Sequence, residues 1–315
     1  MGYRFNIEKL INNIQKVIVG KELTIRLMII ALLSGGHVLI EDMPGVGKTT
    51  LVKSLARSLN CSFRRIQFTP DLLPSDITGV SVFNQKTNEF EFKKGPVFSQ
   101  IVLADEINRT SPKTQSSLLE VMEEGHVTVD GNTYPVEEPF MVLATQNPVE
   151  YEGTYPLPES QLDRFMMKIS MGYPDHWEEK AIIKRFIEHE VLKELTPIMT
   201  KEELLEIKRS VRYVYIDDSI MTYIVNIVQR TRDNRYVYLG ASPRASLMLA
   251  RGAQANAIVN DRNYVIPDDV KMLAVPVLSH RLVIKPEYRL KGMSNEEFIK
   301  GILNEVNVPV VRDYA

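Results

Sequence analysis

The sequence contains few residues that could form a covalent or metal-held framework. Its 315 residues include a single cysteine, Cys61, which excludes both an intrachain disulfide framework and a zinc cluster of thiolates. The five histidines are scattered and lack the H-E-x-x-H spacing of a metalloprotease. We therefore interpret Cys61 as a small, partly buried apolar residue and expect no histidine-based metal centre.

Long apolar runs and a strong excess of charge are also missing. No stretch is long enough to cross a bilayer, and the N-terminal segment interrupts its apolar positions with charges and amides, unlike a signal peptide. The formal net charge is −2 and long lysine or arginine runs are absent, which argues against a dedicated nucleic-acid binder. The sequence thus predicts a cytoplasmic protein without a membrane span, large enough for one large domain or two smaller ones.

A glycine-rich turn is the strongest signal that is present. The stretch EDMPGVGKTT supplies the second half of the phosphate-binding motif G-x-x-x-x-G-K-[ST] through Gly47, Lys48 and Thr49. The apolar run HVLIE precedes it and the helical pattern TTLVKSLARSLN follows, which is the order of strand, loop and helix that the motif requires. Asp42 occupies the position of the first glycine, so the stretch is either a variant phosphate loop or a turn without a ligand.

Two further apolar strands end in polar side chains. IVLADEINRT contains Asp105 and Glu106, and FMVLATQNP contains Asn147. Short apolar strands that alternate with helices indicate an α/β fold with a parallel sheet, in which the carboxyl ends of the strands meet at one edge. We expect Asp105 to hold Mg²⁺ through water and Glu106 to polarise the attacking water, although acidic pairs also end strands for solubility. Asn147 either holds that water or the γ-phosphate, or it caps the turn before Pro148.

Two segments interrupt the alternation of strands and helices. Residues 79–95 and 125–138 each contain two alternating runs around a polar turn, which is typical of a β-hairpin. After Pro174 the sequence is mostly amphipathic helix. We therefore predict a nucleotide-binding core over residues 1–173 with two hairpin inserts, followed by a smaller helical domain over residues 174–315.

Two arginines are further candidate site residues. Arg164, in LPESQLDRF, is expected on a short helix that leaves the carboxyl edge of the sheet, where an isolated arginine is more often a surface salt-bridge partner. Arg244, in GASPRAS, opens a helix of the second domain, where the positive end of the helix dipole disfavours a cation unless an anion such as phosphate is near. Arg109 and Gln67 are interpreted as surface residues near the same edge.

Together these stretches resemble the MoxR family of AAA+ ATPases. The matching blocks are VIVGKE, LIEDMPGVGKTT, RIQFTPDLLPSDITG, GPVFSQIVLADEINRTSPKTQSSLLEVMEE, ATQNPVEYEGTYPLPESQLDRF and GASPRAS, which cover most of residues 17–250. That family commonly carries Glu-Asp before P-G-x-G-K-T, so the resemblance explains Asp42 as a lineage variant. Its carboxylate is then expected to point outward or to accept local N–H groups. The implied fold is a AAA+ phosphate-loop core with a parallel sheet between helices, followed by an all-helical lid.

The resemblance also implies cofactors and residue roles. ATP and Mg²⁺ are the implied cofactors. The implied nucleotide-binding residues are Val19, Gly20, Pro44, Gly45, Val46, Gly47, Lys48, Thr49 and Thr50, with Val19 and Gly20 against adenine and Thr49 and Asp105 at the metal. The implied catalytic residues are Glu106 beside the water, Asn147 as first sensor, Arg164 as an arginine finger acting on a neighbouring subunit, and Arg244 as second sensor on the lid.

The function implied by the resemblance is an ATP-hydrolysing, chaperone-like remodeller. Such proteins form rings, expected here to be hexamers, and act on client proteins with a partner that carries a von Willebrand factor A domain. The hairpins would face the axis of the ring. Two alternatives remain open: an AAA+ motor on nucleic acid, which the charge disfavours, and a nucleotide-gated binding module without turnover, which the presence of Glu106 disfavours.

Overall fold

A five-stranded parallel sheet organises the computed structural model, which describes residues 3–148, 153–188 and 190–309. The strands are β1 (Val38–Glu41), β2 (Phe63–Gln67), β3 (Gly79–Asn84), β4 (Glu89–Lys94), β5 (Ile101–Asp105), β6 (His126–Val129), β7 (Asn132–Pro135), β8 (Met141–Gln146), β9 (Met167–Ile169), β10 (Val237–Leu239) and β11 (Val283–Ile284). The sheet has the order β2-β5-β8-β1-β9, and all of its neighbouring strands are parallel. The predicted α/β core is therefore confirmed.

Helices cover both faces of the sheet and form most of the C-terminal half. They are α1 (Tyr3–Gln15), α2 (Glu22–Leu33), α3 (Lys48–Ser58), α4 (Pro74–Thr78), α5 (Pro112–Glu124), α6 (Glu159–Leu162), α7 (His176–Glu188), α8 (Val191–Glu194), α9 (Lys201–Ser210), α10 (Asp218–Arg232), α11 (Pro243–Val259), α12 (Pro267–Leu278), α13 (Pro286–Arg289) and α14 (Asn295–Glu305). None of the helices in the described ranges is long and apolar enough to cross a membrane.

The three central strands β1, β5 and β8 are apolar on both sides, as strands are whose two faces are covered by helices, whereas β2 at one side of the sheet is mostly polar. In β5, Ile101 and Leu103 join the apolar cluster shared with α1, α2, α3 and the C-terminal helices. Val102 and Ala104 of the same strand point to the opposite face and join the cluster around α5. The alternation of side chains along a strand thus fixes the register and brings the polar strand ends together at the carboxyl edge.

The two predicted hairpins are present and touch each other. In β3 and β4, Gly79 pairs with Lys94 and Asn84 with Glu89, and β6 pairs with β7 in the same antiparallel manner. Phe92 of the first hairpin stacks on Tyr134 of the second, with ring centroids 4.4 Å apart. The inserts are therefore in contact away from their turns, whereas Phe83 and Phe90 form an exposed pair in the strands beside the polar turn 84–88.

The C-terminal part is a helical lid that packs on the core. Helix α11 lies against α1 and α2, and α12 lies against β9. The prediction of an all-helical lid needs one correction, because β10 and β11 form a short antiparallel pair within it. Two apolar strand segments can satisfy each other's backbone groups where the chain is too irregular for helix. The predicted boundary near Pro174 falls between β9 and α7 and stays a prediction.

Candidate nucleotide-binding and catalytic site

The loop between β1 and α3 has the geometry of a phosphate cradle. Gly45 and Gly47 have φ of +85° and +93°, a backbone region that side chains with a Cβ rarely adopt. The Lys48 ammonium donates to the carbonyl oxygens of Asp42 at 2.8 Å and Met43 at 3.2 Å. Lys48 begins α3, so the loop also presents the unpaired N–H groups of a helix N-terminus, which favour an anion.

Asp42 is a structural anchor of this loop. Its buried carboxylate accepts hydrogen bonds from the Met171 N–H, the Gly172 N–H at 3.0 Å and the Ser170 hydroxyl at 3.1 Å. These donors belong to the chain that leaves β9, so the predicted acceptance of N–H groups is observed, although the donors are distant in sequence. The carboxylate is satisfied by the protein and does not face the phosphate cradle.

The acidic pair after β5 lies beside the loop. Asp105 is buried, and one of its oxygens accepts a hydrogen bond from the Thr145 hydroxyl at 2.6 Å. The same hydroxyl accepts the Glu106 N–H at 2.9 Å. Glu106 has φ of +58°, a left-handed conformation that an ordinary residue adopts at a local cost, and strain of this kind clusters at functional sites.

Three residues that contact this pair were not predicted as site residues. Arg65 forms an ion pair with the second oxygen of Asp105 at 2.6 Å. Gln67 donates to Glu106 at 2.8 Å, and Arg109 pairs with the same Glu106 oxygen at 3.3 Å. The sequence placed Gln67 and Arg109 near this edge only as surface residues. The missed signal is the polar, charged character of β2, whose Gln67 pairs in register with Asp105 of β5.

Two adjoining clefts share the phosphate loop. The polar one, of about 360 Å³, is lined by Pro44, Gly45, Gly47, Lys48, Thr49, Thr50, Arg65, Asp105, Glu106, Thr145 and Asn147. The predicted phosphate-binding, metal and water-positioning residues therefore meet in one place, including Asn147.

The second cleft is mainly apolar, a lining that suits a planar aromatic base. It measures about 420 Å³ and is lined by residues before α2, by the phosphate loop including Val46, and by Ile182, Ile183 and Phe186 of α7. Val19 lines it, as predicted for an adenine contact. Gly20 does not line it; its φ is +72° and a Cβ there would overlap the Glu178 carboxylate, so Gly20 allows close packing at this point.

The donor set at the polar cleft suits Mg²⁺. This ion prefers oxygen ligands, keeps several waters and is commonly held by one or two protein groups together with substrate phosphates. Thr49 and Asp105 supply a hydroxyl and a carboxylate beside the cradle. Among the described residues there is no cluster of three or more His, Cys, Asp or Glu side chains that could hold a metal ion.

Arg164 and Arg244 lie at the amino ends of the strands, on the opposite side of the sheet from the phosphate loop. The expectation that Arg164 leaves the carboxyl edge is wrong, because β9 is parallel to β1 and the chain has already returned to the amino ends before β9 begins. Arg164 follows α6 instead of lying within it, three residues before β9, whose Met167 pairs with Val38 at the start of β1. Arg244 is the second residue of α11, as predicted. Both guanidinium groups form ion pairs with the carboxylate of Glu123, Arg164 at 3.2 Å.

A buried ion pair fixes the segment that carries both arginines. The Arg281 guanidinium donates to Asp163 at 2.8 Å, and the other Asp163 oxygen accepts the Ser242 hydroxyl at 2.9 Å. Burial lowers the pKa of Arg281 to about 10 against the opposing effect of Asp163, so the side chain stays cationic at neutral pH. Asp163 and Ser242 directly precede Arg164 and Pro243, so this contact joins the lid to the core next to both arginines.

Comparison with known proteins identifies the family. A model described as the ATPase family associated with various cellular activities (AAA) matches residues 37–167, and one described as the AAA lid domain matches residues 229–302. Chaperone MoxR1 of Mycobacterium tuberculosis is 42% identical over 97% of this chain and 83% of its own length. The chain belongs to the MoxR family of AAA+ ATPases.

This MoxR-family protein is also similar to two other proteins over almost its whole length. The YeaC protein of Bacillus subtilis is 54% identical over 96% of this chain and 95% of its own length. A crystal structure of a candidate ATPase from Cytophaga hutchinsonii is 44% identical, covers 98% of this chain and 96% of its own, and superposes with a TM-score of 0.91. The predicted AAA+ core, helical lid, nucleotide binding and ATP hydrolysis are thereby confirmed for this MoxR-family chain.

Proposed function

We propose that this MoxR-type ATPase is a chaperone-like remodeller that works as a ring on partner or client proteins. The observation that carries the proposal is the polar cleft, where Lys48, Asp105, Glu106 and Asn147 surround the phosphate loop. A hexameric ring, a partner with a von Willebrand factor A domain and a cytoplasmic location are added from the family resemblance and from composition. A motor on nucleic acid has no supporting observation beyond the shared AAA+ core.

ATP would occupy both clefts. The apolar cleft takes the adenine ring between Val19 and the apolar side of α7, and the loop N–H groups with Lys48 hold the phosphates. Thr49 and Asp105 would hold Mg²⁺, which neutralises charge on the phosphates. To bind Mg²⁺, the Asp105 carboxylate must either keep its ion pair with Arg65 and contact the metal shell as well, or give up that ion pair.

Hydrolysis needs an oriented water molecule in line with the γ-phosphate. Glu106 orients and polarises this water, since it is a carboxylate at the edge of the cleft held by Gln67, Arg109 and its own backbone contact with Thr145. Asn147 lines the same cleft and is proposed to hold the water or the γ-phosphate.

The position of Arg164 supports assembly into a ring. The Met122 carbonyl, next to Glu123, lies 2.9 Å from the His37 ring, and His37 directly precedes β1. The contact between Arg164 and Glu123 therefore lies at the amino ends of the strands, whereas Lys48 lies beyond their carboxyl ends. The two positions are separated by at least the length of β1, roughly 13 Å. From this position Arg164 is better placed to contact the ATP of an adjacent protomer than the ATP bound to its own protomer.

The first experiment compares Lys48→Ala with Glu106→Gln. Lys48 contacts phosphates in the ground state, so its loss should abolish nucleotide binding. Glu106 acts mainly in the transition state, so Glu106→Gln should bind ATP but lower kcat by about 10²-fold or more. Fluorescent-nucleotide titration and a steady-state phosphate assay measure the two effects. Equal ATP affinity in both variants, or turnover by Glu106→Gln at the wild-type rate, contradicts the assignment.

The activity on other proteins has its own test. A Glu106→Gln protein that holds ATP should retain client or partner proteins in a pull-down with ATP, and Lys48→Ala should not. A steady-state ATPase assay with and without DNA tests the alternative: stimulation by DNA would favour the nucleic-acid motor over the protein remodeller.

A further inference from the structure

We infer that Glu123 is a positioning residue that holds Arg164 and Arg244 together as one anion-binding pair for the ATP of the adjacent protomer. The inference rests on the proposed ring, in which Arg164 acts between protomers. It adds a residue that neither the phosphate-loop motif nor the acidic pair after β5 contains, and it assigns a common task to two arginines from different domains.

The two arginines share a single carboxylate. The oxygens of Glu123 are divided between them, Oε2 to Arg164 and Oε1 to Arg244. The three side chains keep 33%, 30% and 40% of their surface exposed, in the order Glu123, Arg164 and Arg244. The cluster is thus ordered by its own contacts and still open to an anion from a second molecule.

The charges at the helix ends indicate that the cluster is not there to stabilise its helices. Glu123 lies in the last turn of α5, where the dipole disfavours an anion, and Arg244 lies in the first turn of α11, where it disfavours a cation. Both residues break a local preference, and such exceptions are expected at functional sites. Their pairing offsets the mismatch at both helix ends.

The carboxylate also makes the close approach of two cations possible. Two guanidinium groups repel each other, and one carboxylate between them leaves a net charge of +1 that still attracts a polyphosphate. Asp163 already fixes the backbone near both arginines through Ser242 and Arg281. The remaining freedom lies in the long side chains, and Glu123 restricts it before ATP arrives.

This arrangement predicts an effect on the rate of hydrolysis by the neighbouring site. Misplacing a catalytic group by about 1 Å can cost 10²-fold in rate, so Glu123→Gln should lower kcat of the assembled enzyme by about 10- to 100-fold. The affinity of each protomer for ATP should change little, because Glu123 lines neither of the two nucleotide clefts. Glu123→Asp keeps the charge and should retain more activity than Glu123→Gln.

Subunit mixing separates a positioning role from general damage. After exchange, Glu123→Gln mixed with Lys48→Ala should regain activity, since an intact Lys48 site then meets an intact set of arginines. Glu123→Gln mixed with Arg164→Ala should not regain activity, because both defects fall on the same side of the interface. Glu124→Gln is the matched control, removing an exposed carboxylate one position along the same helix, and should leave kcat unchanged.

The same experiments can overturn the inference. A wild-type kcat in Glu123→Gln would show that Glu123 has no positioning role. If Glu123→Gln regains ATPase activity when mixed with Arg164→Ala but not when mixed with Lys48→Ala, Glu123 acts on the ATP site of its own protomer. If Arg164→Ala mixed with Lys48→Ala regains activity and Glu123→Gln does not follow the stated pattern, only the role of Glu123 fails. If exchange is confirmed and Lys48→Ala regains activity neither with Arg164→Ala nor with Glu123→Gln, the proposed interprotomer site itself is wrong.

Discussion

At the scale of single residues, Asp42 shows how a departure from a motif can be structural. A glycine at this position would lack the carboxylate that holds Met171, Gly172 and Ser170 against the loop. Hydrogen bonds to a charged group contribute about 1.5–3 kcal/mol each when they are well formed. The aspartate therefore anchors the cradle from outside.

Restoring the consensus glycine should consequently weaken the protein. Asp42→Gly is expected to lower the free energy of unfolding by about 2–4 kcal/mol, since it removes a buried charged acceptor and leaves buried N–H groups unpaired. ATP affinity should not improve. Urea unfolding and nucleotide titration measure these quantities, and Asp71→Gly, an exposed aspartate outside the site, serves as control. An Asp42→Gly variant that is as stable as wild type and binds ATP more tightly would refute the structural role.

The residues of the site differ in how visible they are in the sequence. Lys48 and Thr49 belong to a contiguous motif, and Asp105 and Glu106 end a strand whose apolar pattern is plain. The partners of Arg65 and Glu123 are not visible in the sequence, because those contacts depend on strand order and on the placement of the lid. Arg244 and Glu123, for example, are 121 positions apart in the chain.

At the scale of elements, local patterns predicted β1, β5 and β8, the hairpins and the helix that follows the phosphate loop, but not the sheet strands β2 and β9. The alternation of apolar and polar residues around a turn is enough to define β3 with β4 and β6 with β7. It does not predict the stacking of Phe92 on Tyr134, which joins hairpins separated by a helix. Nor does helical periodicity predict β10 and β11, which are only three and two residues long.

The hairpins are expected to serve client or partner contact. Replacing the turn 84–88 by a two-residue turn, or shortening 130–132, should leave Tm and basal ATPase nearly unchanged, because these tips are polar and lie away from the contact between the hairpins. Remodelling of a client should be impaired. Phe92→Ala is the contrasting variant and should lower Tm, since it removes the ring that packs on Tyr134 and Phe98. Collapse of the fold on shortening either tip would show that the hairpins are core elements.

At the scale of the whole molecule, buried histidines couple stability to pH. His37 accepts the Val142 N–H at 3.0 Å and faces the Met122 carbonyl, and burial lowers its pKa to about 4. His280 faces the Phe165 carbonyl at 3.1 Å, and burial together with the nearby charge of Arg281 lowers its pKa well below its usual range. Both imidazoles are therefore neutral in the folded protein under mildly acidic conditions, whereas they take up protons in the unfolded chain.

Stability should accordingly be full above about pH 6.5 and fall as the pH decreases toward 4, because the unfolded state binds more protons in this window. The lowered pKa of His37 alone should reduce the free energy of unfolding by about 2 kcal/mol between pH 7 and pH 5. Urea unfolding at pH 7, 6 and 5 measures the slope. His280→Gln, whose amide can still donate to the Phe165 carbonyl, should make the slope shallower, and the exposed His176→Gln should not. A slope that both variants leave unaltered would assign the acid sensitivity to other groups.

We propose that Arg164 of a neighbouring protomer completes each ATP site. An arginine at the developing charge of the γ-phosphate can be worth 10³–10⁵ in rate, so Arg164→Ala should bind ATP but scarcely hydrolyse it. Activity per subunit in the wild-type protein should rise with concentration, because dilution separates the protomers.

The most direct measurement mixes Arg164→Ala with Lys48→Ala under conditions of subunit exchange that mass spectrometry confirms. Neither pure protein contains a complete site, whereas a mixed ring places an intact Lys48 loop opposite an intact Arg164. We expect ATPase activity to return on mixing and to exceed the sum of the activities of the two separate proteins. If exchange is confirmed and no activity returns, or if dilute wild-type monomer hydrolyses ATP at the full rate, Arg164 does not act between protomers.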